Sequence, residues 1–374
     1  MKVSVKEVSS RKELKAFVHY PNALYKGCKF YVPTLEQGDL DLLDPKKNHA
    51  FEFCEGKYFL AYDESGRIVG RIAGIINSEY NKKVGQPIAR YGFMDFVDDD
   101  SVVDALFDTV EEWARSKGMS IMNGPLGFLE FDASGVLVEG YDELPTAYGK
   151  FNHPYYETQL LRRGYVKDID WVEYRVNIPD EIPKSYAHVA QAISERYDVH
   201  VDRLRNKRQL VGSLDEMASL MNRTYADIHG YSELNEGQIA DLKKQFTSIL
   251  SPEFVVIVRN GQGKMVAFAV TAPSMAEAMQ KCGGHLLPFG WIHILKALRH
   301  NDTLDTLLIG VDAQYKSKGV TALIFDALSA PIKKYGIKYI ETTRELEINS
   351  SVQNLWKHFD TRLHKRARCY IKNI

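Results

Sequence analysis

307-LLIGVDAQYKSKGVTALIFDAL-328 carries the clearest structural signal in the chain. Leu307 to Val311 is an apolar run that reads as a buried strand. A polar turn follows, Gln314 to Lys318, with Gly319 behind it. Val320, Leu323, Ile324, Ala327 and Leu328 then recur at helical spacing. A strand that passes through a glycine turn into a helix start gathers free backbone N–H groups and the positive end of the helix dipole at one point. Such a point suits a phosphate. Lys316 and Lys318 add positive charge there.

The 374 residues exceed one average domain and predict two. An apolar content of 45% and a charged content of 26% describe an ordinary globular protein. The formal net charge of −1 provides no global field for nucleic acid or an acidic surface, so no nucleic-acid partner is expected. Cys28, Cys54, Cys282 and Cys369 are scattered, with no CxxC pair, and fit core packing in a reducing compartment. No His/Cys/Asp set has ligand spacing, so no metal is expected. The N-terminus lacks an apolar signal region, and no run approaches the ~20 residues of a membrane span. The expectation is a cytoplasmic α/β protein of two domains; the oligomeric state is not legible.

The first half alternates strands and helices. Strands are expected at Tyr58–Tyr62, Ile68–Ile76, Ala89–Phe96, Met119–Asn123 and Val172–Asn177, with an amphipathic helix at Ser101–Lys117 and a short one at Pro154–Arg163. Gly124–Thr146 has no period and reads as a long loop. The two prolines of 177-NIPDEIP-183 mark a boundary, giving domains 1–180 and 181–374. Helices follow at Ser185–Tyr197, Leu214–Ile228 and Asn235–Leu250. A hairpin, Phe254–Arg259 with Met265–Thr271, turns on Asn260–Gly263. A strand at Lys338–Thr343, a helix at Ser351–Phe359 and a last strand near Arg366–Lys372 close the chain. The order of elements repeats between the halves, which reads as a tandem duplication.

On these residues the chain resembles the GNAT superfamily of acyl-CoA-dependent N-acyltransferases, most clearly over about 210–374 and more faintly over about 50–177. That family's Gln/Arg-x-x-Gly-x-Gly/Ala run is matched by Lys316-Ser317-Lys318-Gly319-Val320-Thr321. Gly319 is kept, Lys316 stands for the usual Gln or Arg, and Thr321 for the small residue. Asn349-Ser-Ser-Val-Gln-Asn-Leu355-Trp356 resembles the family's Asn-x-x-Ala-x-x-Leu-Tyr. The resemblance implies that Asn349 contacts the pantetheine arm and that the end of the central strand, Ile309, Val311 and Ala313, holds its amides. It places Trp356 where the family has a Tyr that protonates the leaving thiolate, and an indole is no proton source. His358 and Tyr370 are nearby substitutes. The first half has Val97-Asp98-Asp99-Asp100 where a phosphate loop would be, and about Leu160 at the Tyr position. It therefore reads as a degenerate copy that binds no CoA.

The fold implied is α/β of the α+β type: two tandem GNAT-like lobes, each a mixed, mostly antiparallel twisted sheet flanked by helices. The activity implied is transfer of an acyl group, acetyl first among them, from acyl-CoA to a primary amine of a small molecule or peptide by direct attack. Candidate bases are Glu341, Glu345 and Glu347, which period two would put on one strand face. Asn222 and Tyr225 share a helix face over the acceptor pocket. The basic side of 364-HKRARCYIK-372 reads as the solvent side of an edge strand, or as an anion contact. Two other readings stay open: a non-catalytic CoA-sensing or partner-binding protein on a degenerate scaffold, and a transferase that uses aminoacyl-tRNA.

Overall fold

A computed structural model describes residues 2–181, 183–357 and 359–374. In chain order the strands are β1 (Ser4–Glu7), β2 (Cys54–Tyr62), β3 (Ile68–Asn77), β4 (Ile88–Phe96), β5 (Ile121–Gly124), β6 (Val136–Glu139), β7 (Val166–Asn177), β8 (Val199–Asp202), β9 (Val255–Asn260), β10 (Met265–Pro273), β11 (Thr303–Val311), β12 (Tyr339–Thr342), β13 (Glu345–Leu346) and β14 (Asp360–Asn373). The α-helices are α1 (Arg11–Leu24), α2 (Glu36–Leu42), α3 (Ser78–Val84), α4 (Asp100–Ser116), α5 (Tyr155–Arg162), α6 (Lys184–Tyr197), α7 (Lys207–Tyr225), α8 (Glu236–Ile249), α9 (Ala276–Cys282), α10 (Gly290–Arg299), α11 (Thr321–Tyr335) and α12 (Ser350–Trp356).

Two compact units form. One takes the chain through Val172 together with Ala276–Ile294 and His364–Ile374; the other takes Glu173–Met275 and Leu295–Leu363. A join near residue 180 is kept as the proposed seam of the duplicated segments. In the first unit β1, β2, β3 and β4 run antiparallel to their neighbours, β5 is parallel to β4, and β14 is antiparallel to β5 and β6. Helix α4 begins where Asp99 accepts from Ser101 N. It buries Val102, Val103, Leu106, Phe107 and Val110 on the sheet. Gly74 permits this approach, since a Cβ there would lie 2.5 Å from the Trp113 ring.

The second unit repeats the order. β8, β9, β10 and β11 are antiparallel in succession, β12 is parallel to β11, and the end of β7 is antiparallel to β12. Helix α11 covers one face with Val320, Leu323, Ile324, Leu328 and Ile332, in a core shared with Val256, Val258, Ala267, Leu304 and Trp356.

Two sequence expectations change. Gly124–Thr146 is not loop throughout, because β6 pairs within it. The C-terminal strand is no edge, and its basic side is not free. Arg366 pairs with Glu139 and Asp170, Arg368 with Asp170 and Glu157, and Lys372 with Glu111. These acids come from far away in the sequence, so the run alone could not announce them.

Candidate active site in the second unit

Strands β11 and β12 pair in parallel only from Thr303↔Tyr339 to Thr306↔Thr342. Beyond Thr306, β11 continues to Val311 with β10 on one side and, among the described residues, no partner strand on the other. The run Tyr339–Glu347 is accordingly not one strand. β12 ends at Thr342, and Glu345 lies on the separate β13. The single face expected for Glu341, Glu345 and Glu347 therefore does not form.

The open edge of β11 meets Tyr225, the last residue of α7. Its hydroxyl donates to Ile309 O at 3.0 Å and accepts from Ile309 N at 3.4 Å. One phenol thus satisfies both backbone groups of a strand residue that lacks a neighbour on its outer side among the described residues, as an amide of a bound extended chain would. Burial pushes that phenol up to about 12. Asn222, three residues earlier, has a tying role: it accepts from Tyr231 Oη at 2.5 Å and Leu234 N at 3.1 Å and donates to Leu234 O at 3.2 Å.

After β11, Asp312 accepts from Gln314 N, Tyr315 N donates to Asp312 O, and Lys318 N donates to Tyr315 O. Ala313, Lys316 and Ser317 are exposed. The Lys318 ammonium lies over the rings of Tyr315 (4.6 Å) and Tyr197 (5.2 Å). Gly319 then takes φ +71°, the left-handed region, and a Cβ there would meet Ile193 at 2.9 Å. Val320 is buried and pins the start of α11. Among the described residues, the N–H groups of Gly319, Val320 and Thr321 bond to no protein acceptor. The fifteen-residue helix α11 points the positive end of its dipole at the same place.

The acids sit at the other side of the diverging strands. Glu341 is buried, and its Oε1 lies 2.9 Å from the Arg175 guanidinium. In register beside it is Asp305, 1% exposed, a residue the sequence reading missed. A lone acid inside an otherwise apolar strand, 303-TLDTLLIGV-311, was the available signal. Glu345 Oε1 accepts from the Trp356 indole N–H at 2.7 Å, and its Oε2 has no hydrogen-bond partner among the described residues. Burial pushes this carboxyl up to about 8, and the indole hydrogen bond offsets only part of the shift. Trp356 itself is buried, edge-on to Phe325 at 5.9 Å. Asn349 is the half-buried N-cap residue of α12, and its side chain makes no capping bond.

One candidate lies elsewhere. Tyr370 is a buried core residue of the first unit and donates to Glu157 at 2.7 Å. His358 falls outside the described residues. At the start of α4, Asp98 and Asp100 accept from Gln159 (3.1 and 2.9 Å), and Arg162 lies 3.4 Å from Asp100. That helix start is occupied by its own acids.

The chain is 26% identical over 380 residues to Protein YghO of Escherichia coli (strain K12), spanning 99% of this chain and 95% of the relative. It is 25% identical over 385 residues to a bacterial ceramide synthase of Caulobacter vibrioides (strain NA1000 / CB15N), spanning 100% and 98%. No family model matches. Among solved structures, a tandem GNAT protein from the clavulanic acid biosynthesis pathway superposes with a TM-score of 0.57 at 11% identity, covering 100% of this chain and 98% of that one. The fold is the tandem GNAT fold.

Within this GNAT fold the second unit also holds a small apolar cavity of about 20 Å³. Leu214, Met217 and Met221 of α7, Phe246 of α8, Phe268 of β10 and Leu308 of β11 line it. Leu308 neighbours the residue that Tyr225 caps. In the first unit, His19, Glu36 and His285 converge, with imidazole-to-carboxylate distances of 3.1 and 3.0 Å. Two imidazoles on one bridging carboxylate would give this spacing, and so would a bound cation. No helix among the described residues is long and apolar enough to cross a membrane.

Proposed function

We propose that this protein is an acyl-CoA-dependent N-acyltransferase that acts through its second unit. The observation that carries the reading is the divergence of β11 from β12 beside a helix start with three open N–H groups. The pyrophosphate would sit on Gly319, Val320 and Thr321, with Lys316 and Ser317 at the rim and Lys318 beside it. The pantetheine amides would pair along Ile309–Ala313, displacing the Tyr225 hydroxyl, and Asn349 would face the arm.

The amine nitrogen attacks the thioester carbonyl; the N–C bond forms and the C–S bond breaks. The leaving thiolate takes a proton, and the attacking amine sheds one. Trp356 cannot supply the first, but it holds a carboxyl that can. A carboxyl near 8 is matched to a thiol of ordinary pKa near 8.5. Glu345 therefore protonates the thiolate and recovers a proton from the amine through water. Glu341, ion-paired to Arg175 and beside Asp305, supplies the charged wall of the acceptor side.

The donor is read as longer than acetyl. The cavity under Leu308 is apolar but only about 20 Å³, so a longer chain would enter by moving its flexible Met217 and Met221 lining aside. A ceramide is the amide of a fatty acid and a long-chain amino alcohol, so the name of the Caulobacter relative points the same way. The test is a panel of acyl-CoA donors, from acetyl to palmitoyl, against long-chain and short primary amines. Turnover is expected to rise with donor length. If only acetyl-CoA is used, the long-chain reading fails while the transferase reading stands; if no donor binds, both fail.

Two substitutions sharpen this. Ala218→Val takes up the cavity and is expected to shift preference to shorter donors, lowering kcat/KM for palmitoyl-CoA about tenfold, about 1.4 kcal/mol, with acetyl-CoA unaffected. Tyr225→Phe removes the group that caps Ile309. It should cost the free protein about 1 kcal/mol and, by freeing the strand edge, tighten acyl-CoA binding by roughly fivefold. Thermal melts with and without the donor read both effects.

A further inference from the structure

We propose that the segment Leu286–Ile292, with helix α10, docks on an anionic lipid bilayer surface. The exposure of this segment is extreme for its composition. Leu287 is 81% exposed, Phe289 69%, and Trp291 and Ile292 each 46%. Six exposed large apolar residues fall between Leu286 and Leu295, and α10 buries none of its own. Scattered exposed leucines are normal, but a contiguous group marks an interaction surface.

The segment is a built feature. Gln280 Nε2 donates to Lys29 O and Tyr31 O at 2.8 and 2.9 Å, and Glu36 N donates to Gly284 O at 3.0 Å, fixing its root on the first unit. His285 Nδ1 lies 3.0 Å from Glu36. Within the turn, Trp291 N donates to Leu286 O, Ile292 N to Phe289 O and the Trp291 indole to Pro288 O. These bonds satisfy part of the turn's polar backbone and the Trp291 indole from within, which lowers the cost of taking the tip out of water.

Charge selects a lipid surface as the occupant. From Ala278 to Asn301 the sequence has no Asp or Glu, while it has Lys281, Lys296, Arg299 and three histidines. On α10, Trp291, Ile294, Leu295 and Leu298 recur at helical spacing, and His293, Lys296 and His300 fall on other turns of the wheel. Aromatic and leucine residues on one side with Lys and Arg on the other is the pattern of a helix lying in the headgroup plane. Lys26 and Lys29, at the root, are exposed as well. This inference rests on the exposed segment and does not depend on the transferase reading, although a lipid acceptor would be met at such a surface.

The test is flotation of the full chain with phosphatidylcholine vesicles, with and without phosphatidylglycerol. The protein is expected to float with the anionic vesicles and far less with the neutral ones. Leu287→Glu with Trp291→Glu should reduce partitioning about tenfold or more. Lys296→Glu with Arg299→Glu should reduce binding to the anionic vesicles roughly fivefold per charge lost, with little effect on neutral ones. Both pairs lie on exposed positions, and unchanged melting curves would show that they fold. Wild-type protein that stays with the soluble fraction overturns the proposal. So does a wild-type dimer that Leu287→Glu converts to monomer without any vesicle binding, which would assign the face to a second copy.

Discussion

Gly319→Asp is expected to abolish acyl-CoA binding, and Gly319→Asn to weaken it far less. The two variants share shape and differ in charge. Gly319 sits at φ +71°, where Asn and Asp are the side chains best tolerated after glycine. Both must push Ile193 aside, since a Cβ would lie 2.9 Å from its terminal carbon. That contact is with the far end of a flexible side chain, so each variant loses about 1 kcal/mol of stability and keeps its fold. Only Asp places a negative charge against the open N–H groups of 319–321. It satisfies the helix start itself, as Asp99 does at the start of α4, and repels a pyrophosphate. The readout is the ligand-induced rise in melting temperature. A ligand at ~100 times its Kd adds roughly 2.7 kcal/mol, several degrees for a unit of this size. Loss of that rise in Gly319→Asp alone assigns the phosphate to this turn. An equal rise in both variants removes it from this turn, and the functional reading with it.

The difference between Gly319 and Glu345 explains how much the sequence could tell. A strand, a glycine turn and an apolar helix are local, and each is written in consecutive residues; the 307–328 stretch, the 254–271 hairpin and helix α4 were all legible for that reason. The resemblance to GNAT proteins rests on the same local run. The acid chemistry is not local. That Glu345 leaves the strand of Glu341 follows from where β11 parts from β12, a relation between residues some forty positions apart. Its burial depends on Trp356. Asp305 acquires meaning only in register with Glu341. Helical spacing gives Tyr225 a face but not the strand it meets; the structure puts its hydroxyl on Ile309. The C-terminal arginines looked solvent-facing because alternation says which side they share, and says nothing of the carboxylates of β6, α5 and β7 that cover that side.

Glu345→Gln is expected to lower kcat by about 10²–10⁴ while raising the stability of the folded protein at alkaline pH. The two effects have one origin. Gln keeps the shape and still offers an oxygen to the Trp356 indole, but it can neither hold nor release a proton. An unfolded Glu titrates near 4.3, and this one is pushed up to about 8 by burial. Between those values the folded state binds more protons than the unfolded one, so stability falls as pH rises through the window. Above about 8 the folded protein bears the full cost of a buried charge, up to roughly 5 kcal/mol as an order of magnitude. Glu345→Gln removes that cost, so its melting point should exceed that of the wild type by several degrees at pH 9 and converge on it near pH 5. In turnover the sign is the same. The proton needed by the leaving thiolate is present below about 8, so wild-type kcat should decline above it, and the variant should lose that limb along with its rate. Acyl-CoA binding should be unchanged. A variant that is more stable at pH 9 but keeps kcat and its pH profile would make Glu345 a buried liability with no role in the chemistry. A buried, half-satisfied carboxyl that weakens the fold is tolerable only where its proton is used, and the alkaline limb of kcat is where that use is measured.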